Sequence, residues 1–225
     1  GNERFWQRLT NMRVVLENIG RRFNQEWIFK SLSYILEPEQ SYAVLGSNGS
    51  GKSTLIQLIA GNLSSSEGKM NYEIEGKKLE PEEVYQYISL AAPYLELIEE
   101  FTLEEQLDFH FQFKKQLAGT TKETLLETLS LKGAQHKAIK YFSSGMKQRV
   151  KLTLAVFSDT PLLLLDEPTS NLDEQGVTWY RSLISQYGVN RTLVVCSNQQ
   201  HEYDYCTHQL QLADYKKFNT APMAG

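Results

Sequence analysis

Gly46-Ser47-Asn48-Gly49-Ser50-Gly51-Lys52-Ser53 stands directly after the apolar run Tyr42 to Leu45 and directly before the helix-like stretch Thr54 to Gly61. A buried strand, a glycine-rich turn and a helix in this order read as a phosphate-binding loop. Glycines at 46, 49 and 51 let the backbone curl tightly, so that successive N–H groups and the start of the helix face the oxygens of a phosphate. Lys52 adds positive charge at the outer phosphates of a nucleotide, and the Ser53 hydroxyl is placed to bind Mg²⁺. Ser47, Asn48, Ser50 and Thr54 complete the expected lining.

The chain has 225 residues, enough for one sizeable domain or for one domain carrying a smaller lobe. With 41% hydrophobic and 22% charged residues, a packed core is expected. A formal net charge of −4 gives no cationic surface for nucleic acid, so no nucleic-acid partner is expected. Arg21-Arg22, Lys77-Lys78 and Lys114-Lys115 read as solvated surface. Cys196 and Cys206 have neither metal-ligand spacing nor a disulfide framework, which fits a reducing compartment and points to the cytosol. Apolar runs such as Pro161 to Leu165 are far shorter than the ~20 residues that a membrane helix needs, and no signal-peptide pattern opens the chain. Residues 1–11 read as an extension ahead of Met12, and 216–225 as a tail.

Val14 to Ile19 and Ile28 to Leu36, parted by a polar turn at Asn24-Gln25, read as an antiparallel pair, with Lys69 to Glu75 as a further strand of that sheet. Leu103 to Leu117 carries apolar residues mostly at helical spacing, with Thr102 as cap and Glu105 three residues on. Lys122 to Leu131 repeats the helical pattern, and the two helices are expected to form a small separate lobe. A helix from Ser144 to Phe157, a strand Leu162 to Leu165, a helix Glu174 to Tyr187 and a strand Thr192 to Cys196 follow. Such alternation implies a parallel sheet.

Leu162 to Leu165 runs straight into Asp166-Glu167. A buried strand ending in two carboxylates places Asp166 at the carboxyl edge of a parallel sheet, where open α/β sheets bind ligands. There Asp166 would hold Mg²⁺ through water, and Glu167 would act as general base on the attacking water. Alone, the same residues would serve as a strand followed by an acidic turn.

Tyr141-Phe142-Ser143-Ser144-Gly145-Met146-Lys147-Gln148-Arg149 precedes a helix a short distance before that strand. With it, residues 13–214 resemble the ATP-binding cassette (ABC) family of ATPases, the nucleotide-binding subunits of ABC transporters. Phe142 to Met146 is similar to the family's Leu-Ser-Gly-Gly-Gln signature, departing from it at Phe142, Ser144 and Met146 and matching at Ser143 and Gly145. A hydroxyl and N–H groups at a helix N-terminus form an anion site. The resemblance implies an α/β fold: a P-loop ATPase core with a parallel sheet, an N-terminal antiparallel β subdomain and a helical subdomain at about 94–157, all within 12–215. It also implies ATP and Mg²⁺ as ligands and a second ABC subunit, so that two chains sandwich two ATP molecules between one chain's loop and the other's signature. Pro168 to Asp173 resembles the segment that crosses this interface, and Asp173 is the residue carried over, with helix N-cap as its ordinary role. Phe23 is similar in position to the aromatic residue that stacks on adenine, with Trp27 as a competing candidate and a core role open to either.

Two family residues are replaced. Pro93 stands where a glutamine leads into the helical lobe, and Asn198 stands where the family has a switch histidine. Asparagine can donate a hydrogen bond to the γ-phosphate but cannot take a proton. His201 either reaches inward or lies on the surface. With Lys52, Mg²⁺ and the signature still countering phosphate charge, hydrolysis is expected, slower or more dependent on a partner. Tyr94 to Glu100 places apolar residues among acids beside Pro93, either as the socket for a short helix of a membrane subunit or as the entry to the next helix.

The resemblance thus implies the ATPase subunit of a multi-subunit transporter, peripheral at the cytoplasmic face of a membrane, with the compact cassette leaning towards export. Soluble ABC ATPases of assembly, repair or translation are the alternative, but the coiled-coil insertions and tandem cassettes usual in repair and translation members are lacking. A nucleotide-gated subunit that barely hydrolyses ATP is a further one, suggested by Pro93 and Asn198 and opposed by Glu167. The substrate would be chosen by the membrane partner.

Overall fold

The structure, a computed structural model, describes residues 11–131 and 133–216, so all of the expected extension but Asn11 and all of the expected tail but Lys216 lie outside the described residues. β1 (Met12–Phe23) and β2 (Glu26–Leu36) form an antiparallel hairpin. Its turn is closed by Asn24, whose φ of 55° falls in the left-handed region that Asn tolerates. Both strands outrun their apolar patches, because the backbone ladder continues where side chains are exposed.

β3 (Ser41–Leu45) leads into the glycine-rich loop and α1 (Lys52–Ile59). β4 (Glu67–Ile74) returns to pair with β1, and β5 (Lys77–Lys78) is a two-residue edge, giving a four-stranded sheet in the order β2-β1-β4-β5. Gly68 sits at a bulge in this sheet with φ of 83°, and a Cβ there would lie 2.3 Å from the Glu17 carbonyl oxygen. Gly68→Ala is therefore expected to destabilise the protein by about 2–4 kcal/mol, read as a lower urea midpoint at unchanged slope.

β6 (Ile88–Ala91), α2 (Leu103–Phe113), α3 (Lys122–Leu129), α4 (Ser144–Val156), β7 (Leu162–Asp166), α5 (Glu174–Tyr187) and β8 (Thr192–Ser197) follow. α6 (Gln200–Tyr203) and β9 (His208–Gln211) complete the chain. β6-β7-β8-β3-β9 make a five-stranded sheet in which every pair is parallel. Together they form a P-loop α/β core with an antiparallel β subdomain and a set of helices, as expected.

α2 is capped as its sequence predicts: Thr102 Oγ1 accepts from the Glu105 N–H and Glu105 returns a bond to Thr102. It ends at Phe113, short of Leu117, because Lys114 turns extended and its buried ammonium donates to the Tyr85 and Ile88 carbonyls. That corrects the reading of Lys114 as solvated surface: only its neighbour Lys115 is exposed.

Strand β7 divides the core. Leu162 and Leu164 pack with Val14, Phe29, Leu55 and Ile56 on one face, while Leu163 and Leu165 pack with Leu103, Leu125, Val150 and Tyr180 on the other. A strand buried on both faces is what an unbroken run of leucines requires. The helices α2 and α3 thus share their apolar cluster with the sheet.

Candidate functional site

Since all strands of the larger sheet run parallel, their carboxyl ends gather at one edge. The loop after β3, Asp166 on β7 and the Ser197-Asn198 end of β8 meet there. Gly51 is the N-cap of α1 with φ of 101°, and a Cβ on it would lie 2.4 Å from Ile28 Cγ2, so only glycine permits this turn. Lys52 is buried, and its ammonium donates to the carbonyls of Gly46 and Ser47, bracing the loop from within. Ile28, Asn48, Gly49, Ser50, Gly51, Lys52, Ser53, Thr54 and Glu167 line a cleft of about 480 Å³ in front of the helix N-terminus. Positive partial charge at the helix end and N–H groups aimed outward make this cleft an anion cradle.

Asp166 is 1% exposed. Its Oδ2 accepts from Ser53 Oγ at 2.7 Å, and its Oδ1 is buried with no hydrogen-bond partner among the described residues. Burial pushes its carboxyl above the usual range, the Ser53 bond pulls it back, and Glu167 raises it again. A buried, unsatisfied carboxylate oxygen beside a hydroxyl is a pair of hard oxygen donors, and it suits Mg²⁺. Glu167, which lines the cleft, holds φ of 47°, an uncommon conformation for a glutamate, with its N–H bonded to the Cys196 carbonyl at 2.9 Å.

Asn198 reaches the loop, its Nδ2 donating to Asn48 Oδ1 at 3.1 Å. His201 does not: it is half-buried, with Nε2 in a 2.9 Å hydrogen bond to Thr169 Oγ1. Phe23 is 67% exposed and does not line the loop cleft. Trp27 is half-buried, with Lys30 Nζ 4.6 Å and the Arg22 guanidinium 5.6 Å from its ring centre. Pro93 follows β6, which pairs with β7 at Ala91 and Leu165, so the chain beyond it emerges beside Asp166. The hydroxyl of the next residue, Tyr94, has its pKa raised by burial and then by the charge of Asp166. In the sequence Tyr94 reads only as the start of an apolar stretch, whereas folding sets its hydroxyl within reach of the Asp166 charge.

Ser143 caps α4, its Oγ accepting from the Met146 N–H at 3.2 Å, which leaves the hydroxyl proton free to meet an anion. Asp173 caps α5, its Oδ1 accepting from the Gly176 N–H at 2.8 Å. Ser143, Gly145 and Asp173 line one cleft of about 580 Å³, which has no lining residue in common with the loop cleft. The loop and the signature segment therefore lie on two separate clefts of one chain.

A further cavity of about 370 Å³ lies between β6, α2 and α4, lined by Leu95, Leu97, His110, Lys114, Lys151 and Leu154 among others. Burial lowers the pKa of His110 to about 4 and that of Lys114 to about 8. The acidic rim expected from Glu96, Glu99 and Glu100 is not formed. Glu99 pairs with Lys147 at 2.5 Å and Glu100 with Lys140 at 3.5 Å, leaving Glu96 alone at the cavity. Among the described residues, no helix is long and apolar enough to cross a membrane.

The family model described as ABC transporter matches residues 29–170. The chain is 30% identical over 190 residues to the cytochrome c biogenesis ATP-binding export protein CcmA of Mesorhizobium japonicum, covering 83% of this chain and 91% of that protein. It is 28% identical over 204 residues to the linearmycin resistance ATP-binding protein LnrL of Bacillus subtilis, covering 88% of this chain and 65% of that one. A solved ATP-binding subunit of an ABC transporter shares the fold with a TM-score of 0.73 at 22% identity, over 88% of this chain and 85% of that chain.

Proposed function

This chain belongs to the ABC transporter family as an ATP-binding, ATP-hydrolysing subunit, and we propose that it drives export through a membrane-spanning partner by closing on a second cassette. One observation carries the reading: the signature cleft around Ser143 lies apart from the chain's own loop cleft, so each ATP would need the signature of another chain. In our assignment the cassette spans 12–215 and its helical lobe 94–157. The cytoplasmic face of a membrane is the proposed location.

Within such a pair, Lys52 and the N–H groups at the start of α1 would hold the phosphates, and Asn48 and Asn198 would fix the outer one. Glu167 would take the proton of the attacking water, and Ser143 and Gly145 of the second chain would donate to the γ-phosphate. Ser53 and Asp166 would hold Mg²⁺, which offsets phosphate charge when bound. Asp173 would face the partner chain. Adenine stacking on Phe23 fits its exposed ring, although it stands clear of the loop cleft.

Export is supported by the Mesorhizobium relative, which is named an export protein and is matched over 91% of its length. For the membrane partner, the cavity beside Leu95 and Leu97 offers an apolar floor with Lys114 and Lys151 near it, suited to a short apolar segment carrying an acid. Capture of the chain from detergent-solubilised membranes should recover a multi-spanning protein, and Leu95→Asp should abolish that recovery while ATP binding persists. Capture of soluble partners alone would overturn the transporter assignment.

A further inference from the structure

Glu202 on α6 is 1% exposed, and no Lys or Arg pairs with it among the described residues. Its Oε1 accepts from the Thr169 N–H at 3.0 Å and from the Thr169 hydroxyl, while Oε2 accepts from the Ser197 hydroxyl. Both hydroxyls donate to it. The Thr169 oxygen then accepts from His201 Nε2, which fixes the proton on that nitrogen. Ser197 Oγ likewise accepts the Gln199 N–H at 2.8 Å.

These bonds close a ring. Asp173 caps α5, and α5 holds α6 through Tyr180 Oη to the Glu202 carbonyl at 3.0 Å and Arg181 Nη1 to the His201 carbonyl at 2.8 Å. α6 in turn holds Thr169, two residues after Glu167, and Ser197, one before Asn198. A buried carboxylate near Asp166 is costly, and an apolar or amide residue of like volume would stabilise the fold as well. Such an expense fits a site where geometry matters more than stability.

We infer that Glu202 is a positioning residue for ATP hydrolysis, locking the segment Glu167 to Asp173 onto the end of β8 so that Glu167, Asp173 and Asn198 keep one mutual arrangement. Displacement of a catalytic base by about 1 Å can cost ~10²-fold in rate. Lys52 and the N–H groups at the start of α1 lie outside this ring, so most of the nucleotide affinity does not depend on it, the Asn198 contact being the one part that does.

The test compares Glu202→Ala, Glu202→Gln and Thr169→Val, measuring kcat for ATP and the Kd of a fluorescent ATP analogue. Glu202→Ala is expected to lower kcat by about 10- to 100-fold with Kd within about twofold, since a transition-state contact is lost and ground-state binding is kept. Glu202→Gln, which can accept from Thr169 and donate to Ser197, recovers part of kcat. Thr169→Val keeps the volume but removes one donor to the buried carboxylate, so it is expected to lower kcat, non-additively with Glu202→Ala, at a stability cost of a few degrees in Tm. If Glu202→Ala fails to fold, Thr169→Val, measured well below its Tm, decides. Unchanged kcat, or a loss carried by Kd, overturns the inference.

The inference rests on the proposed catalytic role of the paired cassettes. ATP-dependent dimerisation of Glu167→Gln is measured alongside: its absence overturns the sandwich, whereas the split between kcat and Kd judges Glu202 by itself.

Discussion

Glu167→Gln is expected to lower ATP turnover by about 10²- to 10⁴-fold while leaving ATP bound. Glutamine has the same shape and can fill the same place on the cleft, so the loop and its cradle are undisturbed. What it lacks is a basic oxygen to receive the proton of the attacking water. With hydrolysis stopped and the phosphates still held, the variant accumulates as a closed pair. Size-exclusion chromatography with light scattering, with and without ATP, reads the pairing, and phosphate release reads the turnover. Turnover within a few-fold of the parent would remove Glu167 from the role of base and leave its position on the cleft without a chemical explanation.

Lys52→Ala acts one step earlier. The ammonium is the buried positive charge of the cradle, and it also ties the carbonyls of Gly46 and Ser47 together. Its removal takes away both a phosphate contact and an internal brace. A drop of ~10³-fold in kcat/KM is expected, with affinity for ATP weakened by at least about tenfold. Lys52→Arg should not rescue, because a planar guanidinium cannot occupy the tight curl that a single nitrogen fits. Isothermal titration with ATP separates the binding loss from the catalytic one. Retained affinity in Lys52→Ala would mean that the loop amides alone carry the phosphates.

Much of this arrangement was legible in the chain because the chemistry is local. The loop, Ser53, Asp166 and Glu167 sit at the ends of unbroken apolar strands, and a parallel sheet brings such ends to one edge regardless of the distance in sequence. The caps Thr102, Ser143 and Asp173 are equally local. β9 escaped the reading because only Leu210 of its four residues is buried, and its existence depends on the β3 edge waiting for it. Lys114 was misread since nothing in a Lys-Lys pair tells which amine will be drawn to buried carbonyls. Glu202 was not singled out, and Tyr94 was read only as part of an apolar stretch, for the converse reason. Each matters through a partner brought close by folding: Thr169 lies 33 residues from Glu202, and Asp166 lies across a strand pair from Tyr94. The departures at Pro93 and Asn198 are visible in the sequence, but it is the fold that brings Asn198 to Asn48.

The strand that carries the loop, β3, has β8 and β9 as its neighbours in the sheet, with Ser41 beside Leu193 and Leu45 beside Gln211. During synthesis, therefore, the residues of the glycine-rich loop are made early and have no sheet to lie in until some 150 further residues have left the ribosome. The antiparallel hairpin β1–β2 can close at once, whereas the nucleotide cradle must wait for Thr192 to Gln211. Competence to bind ATP then arrives late and together with the Asn198 end of β8, so that a truncated product lacking those strands has no cradle with which to occupy a transporter's partner site or draw on the cell's nucleotide pool.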